Sequence, residues 1–503
     1  MKDLGARSVT AVFWGGGGAI SRIFLQFISQ VFLARILGPD QYGLFAIGAI
    51  VVSFSNFFAD VGIAYGLIQK KEVAKHDLRF ITTWQFIIGA LVSATIALAS
   101  GKIAAFFGDP RAAEIIKALA IICFFNAMTS PSHNMLKRGL DFKRIQIAQL
   151  ISYFVGFFIF GIPLAIADWQ AWSLVIAWLV QSIVALVVMY WFIRHPLKPL
   201  FWYTNAVPTA RYGLTVLSTN LTNWLINNVD RVVVGRIFTS KDIGAYATSY
   251  NLIYNPTSSL LGILQPVFFS ASSRLVDEKS RIAKGYLALI GCIALFIFPA
   301  FVGLAVVSKT FALAVYGAAW TSLGTTLQPL ALAMPLFLLW GLTTPLLWTG
   351  GDASREFRSQ LPLALLWIVA AWAAAQISLT AVAWAVFGLF LCRFTIILRA
   401  AILLLDLRLL SIWYAMRGGI ALTGLCALNL LVADYALNKI TTPAIFRLIM
   451  EMGLGLTTML LALRLIPSLV GADIVPIIEK ISTKLPSIVA PYFRAVATSA
   501  KKA

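Results

Sequence analysis

About fourteen stretches of roughly 20 or more mainly apolar residues fill this chain, at 9–37, 42–69, 80–106, 112–136, 145–167, 171–193, 212–238, 243–272, 285–308, 322–349, 359–378, 379–404, 410–436 and 444–466. At 1.5 Å of rise per residue, each is long enough to cross a hydrocarbon layer of ~30 Å as a helix. Backbone N–H and C=O groups in lipid must be satisfied inside the protein, and a run of consecutive residues does that by coiling. Composition agrees. Only 12% of the 503 residues are charged and 60% are hydrophobic, with a mean hydropathy of +0.86, whereas a soluble domain carries roughly 25% charged residues. The predicted class is an all-α integral membrane protein of about 14 transmembrane helices.

The net charge of +20 suggests a nucleic-acid partner until the cations are placed. Most lie in short connections on one side of the predicted membrane, among them Lys70, Lys71, Lys75 and Arg79, Lys137, Arg138, Lys143 and Arg144, and Arg274, Lys279, Arg281 and Lys284. On the other side stand only Lys102, Arg111, Lys241, Lys309 and Lys439. This alternation follows the positive-inside rule, so the charges report topology, both termini are predicted cytoplasmic and no nucleic acid is expected. Lys2 and Arg7 precede the first apolar stretch without a small-residue cleavage site, which predicts that it stays as the first span.

The chain also says one thing twice. Ala34-Arg35-Ile36-Leu37 followed by Gly43 and Ala46 is echoed 201 residues later by Gly235-Arg236-Ile237-Phe238 followed by Gly244 and Ala247. An even number of spans separates the copies, so both enter the membrane in the same direction, as parallel repeats about an axis along the membrane normal. The expected body is two parallel, pseudo-symmetric six-helix bundles forming a V-shaped central cavity, an N-lobe at 1–200 and a C-lobe at 201–404. Two extra helices at 405–466 and a cytoplasmic, amphipathic, basic tail at 467–503 complete it. In that tail Ile474, Ile477, Ile478 and Ile481 recur at helical spacing opposite Lys480 and Lys484, a pattern suited to an anionic leaflet.

Polar groups inside spans are costly and mark function by default. Arg22, Gln26 and Gln30 follow one another by one helical turn and share a face of the first span. That face is expected to line the cavity, with pairing of Arg22 to Asp60 of the second span as the structural alternative. The seventh span holds Asn220, Asn223, Asn227, Asn228, Asp230 and Arg231. Counting Arg22, Lys117, Arg231, Arg393, Arg417 and Arg447 against Asp60, Asp230 and Glu451 leaves a positive excess, which favours an anion, and arginine forks suit phosphate oxygens. Gly15 to Gly18 in the first span and Pro329, Pro335 and Pro345 in the tenth are candidate bending points, the glycines alternatively a close helix contact. His76, His133 and His195 stand in or beside connections, and Cys123, Cys292, Cys392 and Cys426 lie in apolar runs without metal spacing. No metal site, cofactor, nucleophile elbow or phosphate-binding loop is expected, hence no enzyme.

The order of several motifs resembles a known family. Ala34 to Pro39 is followed by Tyr42-Gly43-Leu44; Ala59-Asp60-Val61-Gly62 leads to Ile68-Gln69-Lys70-Lys71-Glu72; Leu136-Lys137-Arg138 precedes Asp141-Phe142-Lys143-Arg144. Asp230-Arg231 with Gly235-Arg236, Tyr246 to Tyr254 with Pro256, and Tyr316-Gly317 with Trp320 complete the set. The chain resembles the polysaccharide transporter family of the multidrug/oligosaccharidyl-lipid/polysaccharide (MOP) exporter superfamily, most closely its Wzx-like flippases of O-antigen or colanic-acid type. The resemblance implies a multi-pass protein of the bacterial inner membrane that moves undecaprenyl-diphosphate-linked oligosaccharide repeats from the cytoplasmic to the periplasmic leaflet by alternating access, for lipopolysaccharide or exopolysaccharide biosynthesis. Its expected partners are that lipid-linked oligosaccharide, membrane lipids, and a polymerase or other glycan-assembly proteins. The expected contacts are Arg22, Gln26, Gln30, Asp60, Asn220, Asn223, Asn227, Asp230 and Arg231. The alternatives are a cation-coupled small-molecule exporter of the multidrug (MATE-like) type and a membrane-bound glycan polymerase or ligase.

Overall fold

A computed structural model describes residues 2–60, 73–139, 141–203, 224–274, 278–349, 353–439, 442–471, 473–482 and 490–502, and they contain helix and no strand. In chain order the elements are α1 (Lys2–Asp60), α2 (Lys75–Phe107), α3 (Ala112–Arg138), α4 (Phe142–Ile166), α5 (Ala171–Phe192), α6 (224–237), α7 (Ser240–Arg274) and α8 (Lys279–Val306). A short helix, α9 (Ser308–Phe311), precedes α10 (Thr321–Thr349), α11 (Ala353–Ala375), α12 (Leu379–Leu404), α13 (Leu409–Asn438) and α14 (Ala444–Leu465), with α15 (Val475–Ser482) and α16 (Ala490–Lys502) as the tail. Among the described residues, ten helices are long and apolar enough to cross a membrane. Their outward faces carry large apolar side chains, such as Leu98, Leu403, Leu428 and Ile449. Such surfaces are stable against lipid tails and costly against water.

The first two apolar stretches form a single element bent at Gly38, whose φ of 71° lies in the left-handed region. Glycine enters that region without a Cβ penalty, and Pro39 then starts the next turn, where its missing N–H costs nothing. The run from Gly15 to Gly18 lies in continuous helix. Gly18 lies against α4, where a Cβ would come within 2.6 Å of the Gln146 side chain. Close packing is therefore the role seen at Gly18. α10 runs as one helix through Pro329, Pro335 and Pro345, packed by its neighbours with Leu338, Leu339, Leu342 and Thr343 fully buried.

Packing divides the chain into two units, Met1–Thr248 and Ser249–Ala503. In the first, Leu33 and Leu174 pack with Ala165, while Ile116, Leu119 and Ile122 bury one face of α3. In the second, Tyr286 and Ile290 of α8 meet Leu339, Leu342 and Leu346 of α10. The tail spends its apolar face on protein: Ile474, Val475, Ile478, Val496 and Ala497 are buried in a cluster with Leu295, Leu422, Cys426 and Leu463. The helical spacing forecast an apolar face correctly, but α8, α13 and α14 supply part of its cover, where the sequence suggested a leaflet.

Candidate functional site

Arg22, Gln26 and Gln30 are half-buried on α1, and their four-residue steps place them along one side over ~12 Å. The absent Cβ at Gly18, one turn before Arg22, lets α1 approach α4. That approach brings Gln149 within reach, and its Oε1 accepts from Arg22 Nη1 at 2.6 Å. Arg22 Nε is buried and has no hydrogen-bond partner among the described residues. Two turns on, the hydroxyls of Ser29 and Tyr153 meet at 2.5 Å and repeat the α1–α4 association. Next to this polar seam the same two helices shape an apolar groove of about 520 Å³ between Phe24, Leu25, Leu150, Ile151 and Phe154. A guanidinium thus sits beside a hydrocarbon-lined furrow, an arrangement suited to an amphiphile with an anionic head. Gln30 donates to the Thr248 carbonyl at 3.4 Å, and its own carbonyl accepts from Tyr42 Oη at 3.3 Å.

The seventh span contributes a second polar group on α6. Asp230 is 2% exposed, and its Oδ2 accepts from Tyr246 Oη of α7 at 2.7 Å. Arg231 follows it, half-buried and within Coulombic reach of that carboxylate. Asn228 is turned onto its own helix, donating to the Trp224 carbonyl at 2.9 Å, and Trp224 Nε1 donates to Ser53 Oγ at 3.2 Å. Asn227 is half-buried. Asn220 and Asn223 lie outside the described residues. So does the side chain of Asp60, whose backbone closes α1.

Three cations in the sequence's positive excess are engaged locally. Lys117 is exposed beside Glu114, Arg393 stacks 3.6 Å over the Trp340 ring, and Arg447 is shared between Asp434 and Glu451. The partners Gln146, Gln149 and Tyr153 were missed by the sequence reading. Their signal was available, since they repeat at three to four residues within an otherwise apolar span.

The two copies of the repeat meet, inside the first unit, at the turn between α6 and α7 and the bend of α1. A Cβ on Gly43 would lie 1.7 Å from the Ser240 carbonyl oxygen, and one on Gly244 would lie 1.9 Å from that of Pro39. Pro39 and Ser240 are themselves 201 residues apart, so the contact is reciprocal, as a two-fold contact must be. Around it, Ser240 Oγ donates to Asp40. Arg111 from the α2–α3 turn spans Asp40 Oδ2 at 3.0 Å, Asp109 Oδ2 at 2.8 Å and Ser240 Oγ at 3.1 Å. Hydrogen bonds to Asp109 and then Asp40 raise the Arg111 guanidinium above its already high ordinary value. Arg236 donates to the Phe106 carbonyl at 2.8 Å and lies over that ring.

Comparison with known proteins gives a consistent answer. A family profile described as "Polysaccharide biosynthesis protein" matches residues 32–324. The chain is 24% identical over 332 residues to the lipopolysaccharide biosynthesis protein WzxC of Escherichia coli (strain K12), a match covering 65% of this chain and 66% of that protein. It is 21% identical over 341 residues to the succinoglycan biosynthesis transport protein ExoT of Rhizobium meliloti (strain 1021), covering 68% of each. The chain thus spans about two thirds of the length of these relatives. Among solved structures, the lipid II flippase MurJ in an inward closed conformation superposes with a TM-score of 0.72 at 13% identity, over 89% of this chain and 97% of that one. That likeness establishes the fold.

Proposed function

The chain belongs to the polysaccharide biosynthesis protein family, within the MOP exporter superfamily, and from that membership we propose that it is a flippase for undecaprenyl-diphosphate-linked oligosaccharide repeats. The reading places it in the bacterial inner membrane with both termini cytoplasmic, and its cargo passes from the cytoplasmic to the periplasmic leaflet. Fourteen spans arranged as two lobes, 1–200 and 201–404, with two further helices, are part of the proposal, as is alternating access.

Arg22 carries the argument. A guanidinium deep in an apolar helix, half-buried, held by the neutral amide of Gln149 and keeping a free Nε, is a cation with donor capacity left for an anion. In a low-dielectric setting that demand is met by a ligand of opposite charge. A diphosphate provides it, and the groove formed by Phe24, Leu150 and Phe154 suits the hydrocarbon beside it. In the proposed cycle the diphosphate docks on Arg22 and Arg231, the sugars contact Gln26, Gln30, Asn220, Asn223 and Asn227, and the tail stays in the bilayer. Asp230, engaged by Tyr246, positions Arg231, and Asp60 is assigned to the same polar face. The Gly43–Ser240 and Gly244–Pro39 contacts are the parts that must separate for release outside.

The test is Arg22→Ala. Polymer export should fall by about ten- to a hundredfold, the value of one charge-assisted hydrogen bond at a buried phosphate, with membrane levels unchanged. Export at the wild-type rate would remove Arg22 from the mechanism. Reconstitution with labelled lipid-linked oligosaccharide tests the activity itself, and a drug-susceptibility panel separates it from multidrug export.

A further inference from the structure

Far along the chain from these residues, α13 and α14 bury a group that the transport reading does not use. Glu451 lies two turns into α14 and is completely inaccessible. Its Oε1 accepts from Arg447 Nε at 2.9 Å, but Oε2 is buried and has no hydrogen-bond partner among the described residues. The same Arg447 also binds Asp434 of α13 through Nη2, so a single guanidinium gathers both carboxyls. Asp434 is otherwise well supplied: Thr310 Oγ1 donates to it at 3.5 Å and Asn438 Nδ2 at 3.3 Å. The surroundings are apolar, with Val307, Ala314, Leu430 and Leu448 packed together.

The charges do not balance. Two carboxylates share one guanidinium, and an ionised carboxylate only accepts, so while both are charged neither acid supplies a hydrogen to the buried Glu451 Oε2. Such a pair does not hold both negative charges in a dry setting, because each disfavours ionisation of the other. A metal cation would need oxygens on all sides, and a positive guanidinium already takes one side of each acid. The remaining ligand that fits is a proton. We propose that Asp434 and Glu451 form a proton-binding pair that holds one shared proton at neutral pH, with Arg447 compensating the second charge. Asp434 is 28% exposed while Glu451 is 0%, so the proton enters through Asp434. It arrives from the side where Lys439 ends α13, the face that charge placement assigns to the exterior. The other charged groups near the pair are Lys309, exposed on α9 beside Thr310, and Lys439, which lies 4.4 Å over the Tyr435 ring.

Infrared difference spectroscopy of the purified full-length protein in lipid nanodiscs, titrated with acid and alkali, reads the proton directly through the C=O stretch of a protonated carboxylic acid. The wild type should show one such band at neutral pH. Glu451→Gln should abolish it, Asp434→Asn should shift or abolish it, and Arg22→Ala should leave it unchanged. Absence of the band from the wild type at neutral pH overturns the proposal, even if the variants do not fold. A band that survives unshifted in both folded variants overturns it equally. Because the readout needs no transport, its outcome is independent of the flippase reading.

Discussion

At the residue scale, the buried Asp230 carboxyl is held by a specific donor, and removing a donor is the cleanest perturbation. Tyr246→Phe takes away the hydroxyl that donates to the buried Asp230 carboxylate. It should lower stability by about 1–3 kcal/mol, the cost of an unsatisfied buried acceptor, read as a fall in the unfolding midpoint in detergent; an unchanged midpoint would mean that water replaces the hydroxyl. His195 offers a pH test. It lies in the connection after α5, is 4% exposed, and its Nδ1 faces Thr82 Oγ1 at 3.3 Å. Burial pushes its imidazole below the ordinary value of 6.5, so folding favours the neutral ring. Its stabilisation is complete above about pH 6.5 and is lost as pH falls through the lowered value, because the unfolded chain takes up the proton first. The midpoint should therefore drop on acidification below about pH 6.5, and His195→Gln should flatten that drop. The residue types at these positions were legible in the sequence, and their partners were not: nothing in the order of residues says that Tyr246 rather than solvent meets Asp230.

At the element scale, hydrophobic length located the helices closely. The stretch 112–136 became Ala112–Arg138 and 444–466 became Ala444–Leu465, because the distance across hydrocarbon and the charges flanking it both act on local sequence. What local sequence does not contain is which faces touch. The three prolines of α10 read as candidate bending points, and the packed helix continues through all of them. Gly43 and Gly244 stand out in the sequence only as matching positions of the repeat, and the structure shows them as points of backbone contact between repeat copies. Gly43→Ala should force the bend of α1 and the start of α7 apart or strain them, at a cost of about 1–3 kcal/mol, while Gly48→Ala should disturb only the Leu119 and Ile115 side chains. A thermal-unfolding comparison of the two variants checks this, and equal midpoints would contradict it.

At the scale of the whole molecule, the repeat predicts that transport requires the reciprocal contact to open. Asp40→Cys with Ser240→Cys places two thiols where a hydroxyl and a carboxylate now hydrogen-bond. Oxidation should arrest polymer export and reduction should restore it, measured in cells carrying the double variant alone; export that continues under full cross-linking would show that this contact does not open during the cycle. The sequence alone determined the class of fold, the existence of a repeat and the arginine and amides to examine, because hydrophobic length, charge bias and internal similarity are properties of order along the chain. Only the tertiary structure decided that Arg22 is held by Gln149, that Asp230 is engaged by Tyr246, that the tail covers itself with protein, and that Asp434 and Glu451 share one arginine. Those outcomes depend on which helix faces approach one another, and packing selects the faces through contacts between residues as far as 218 positions apart.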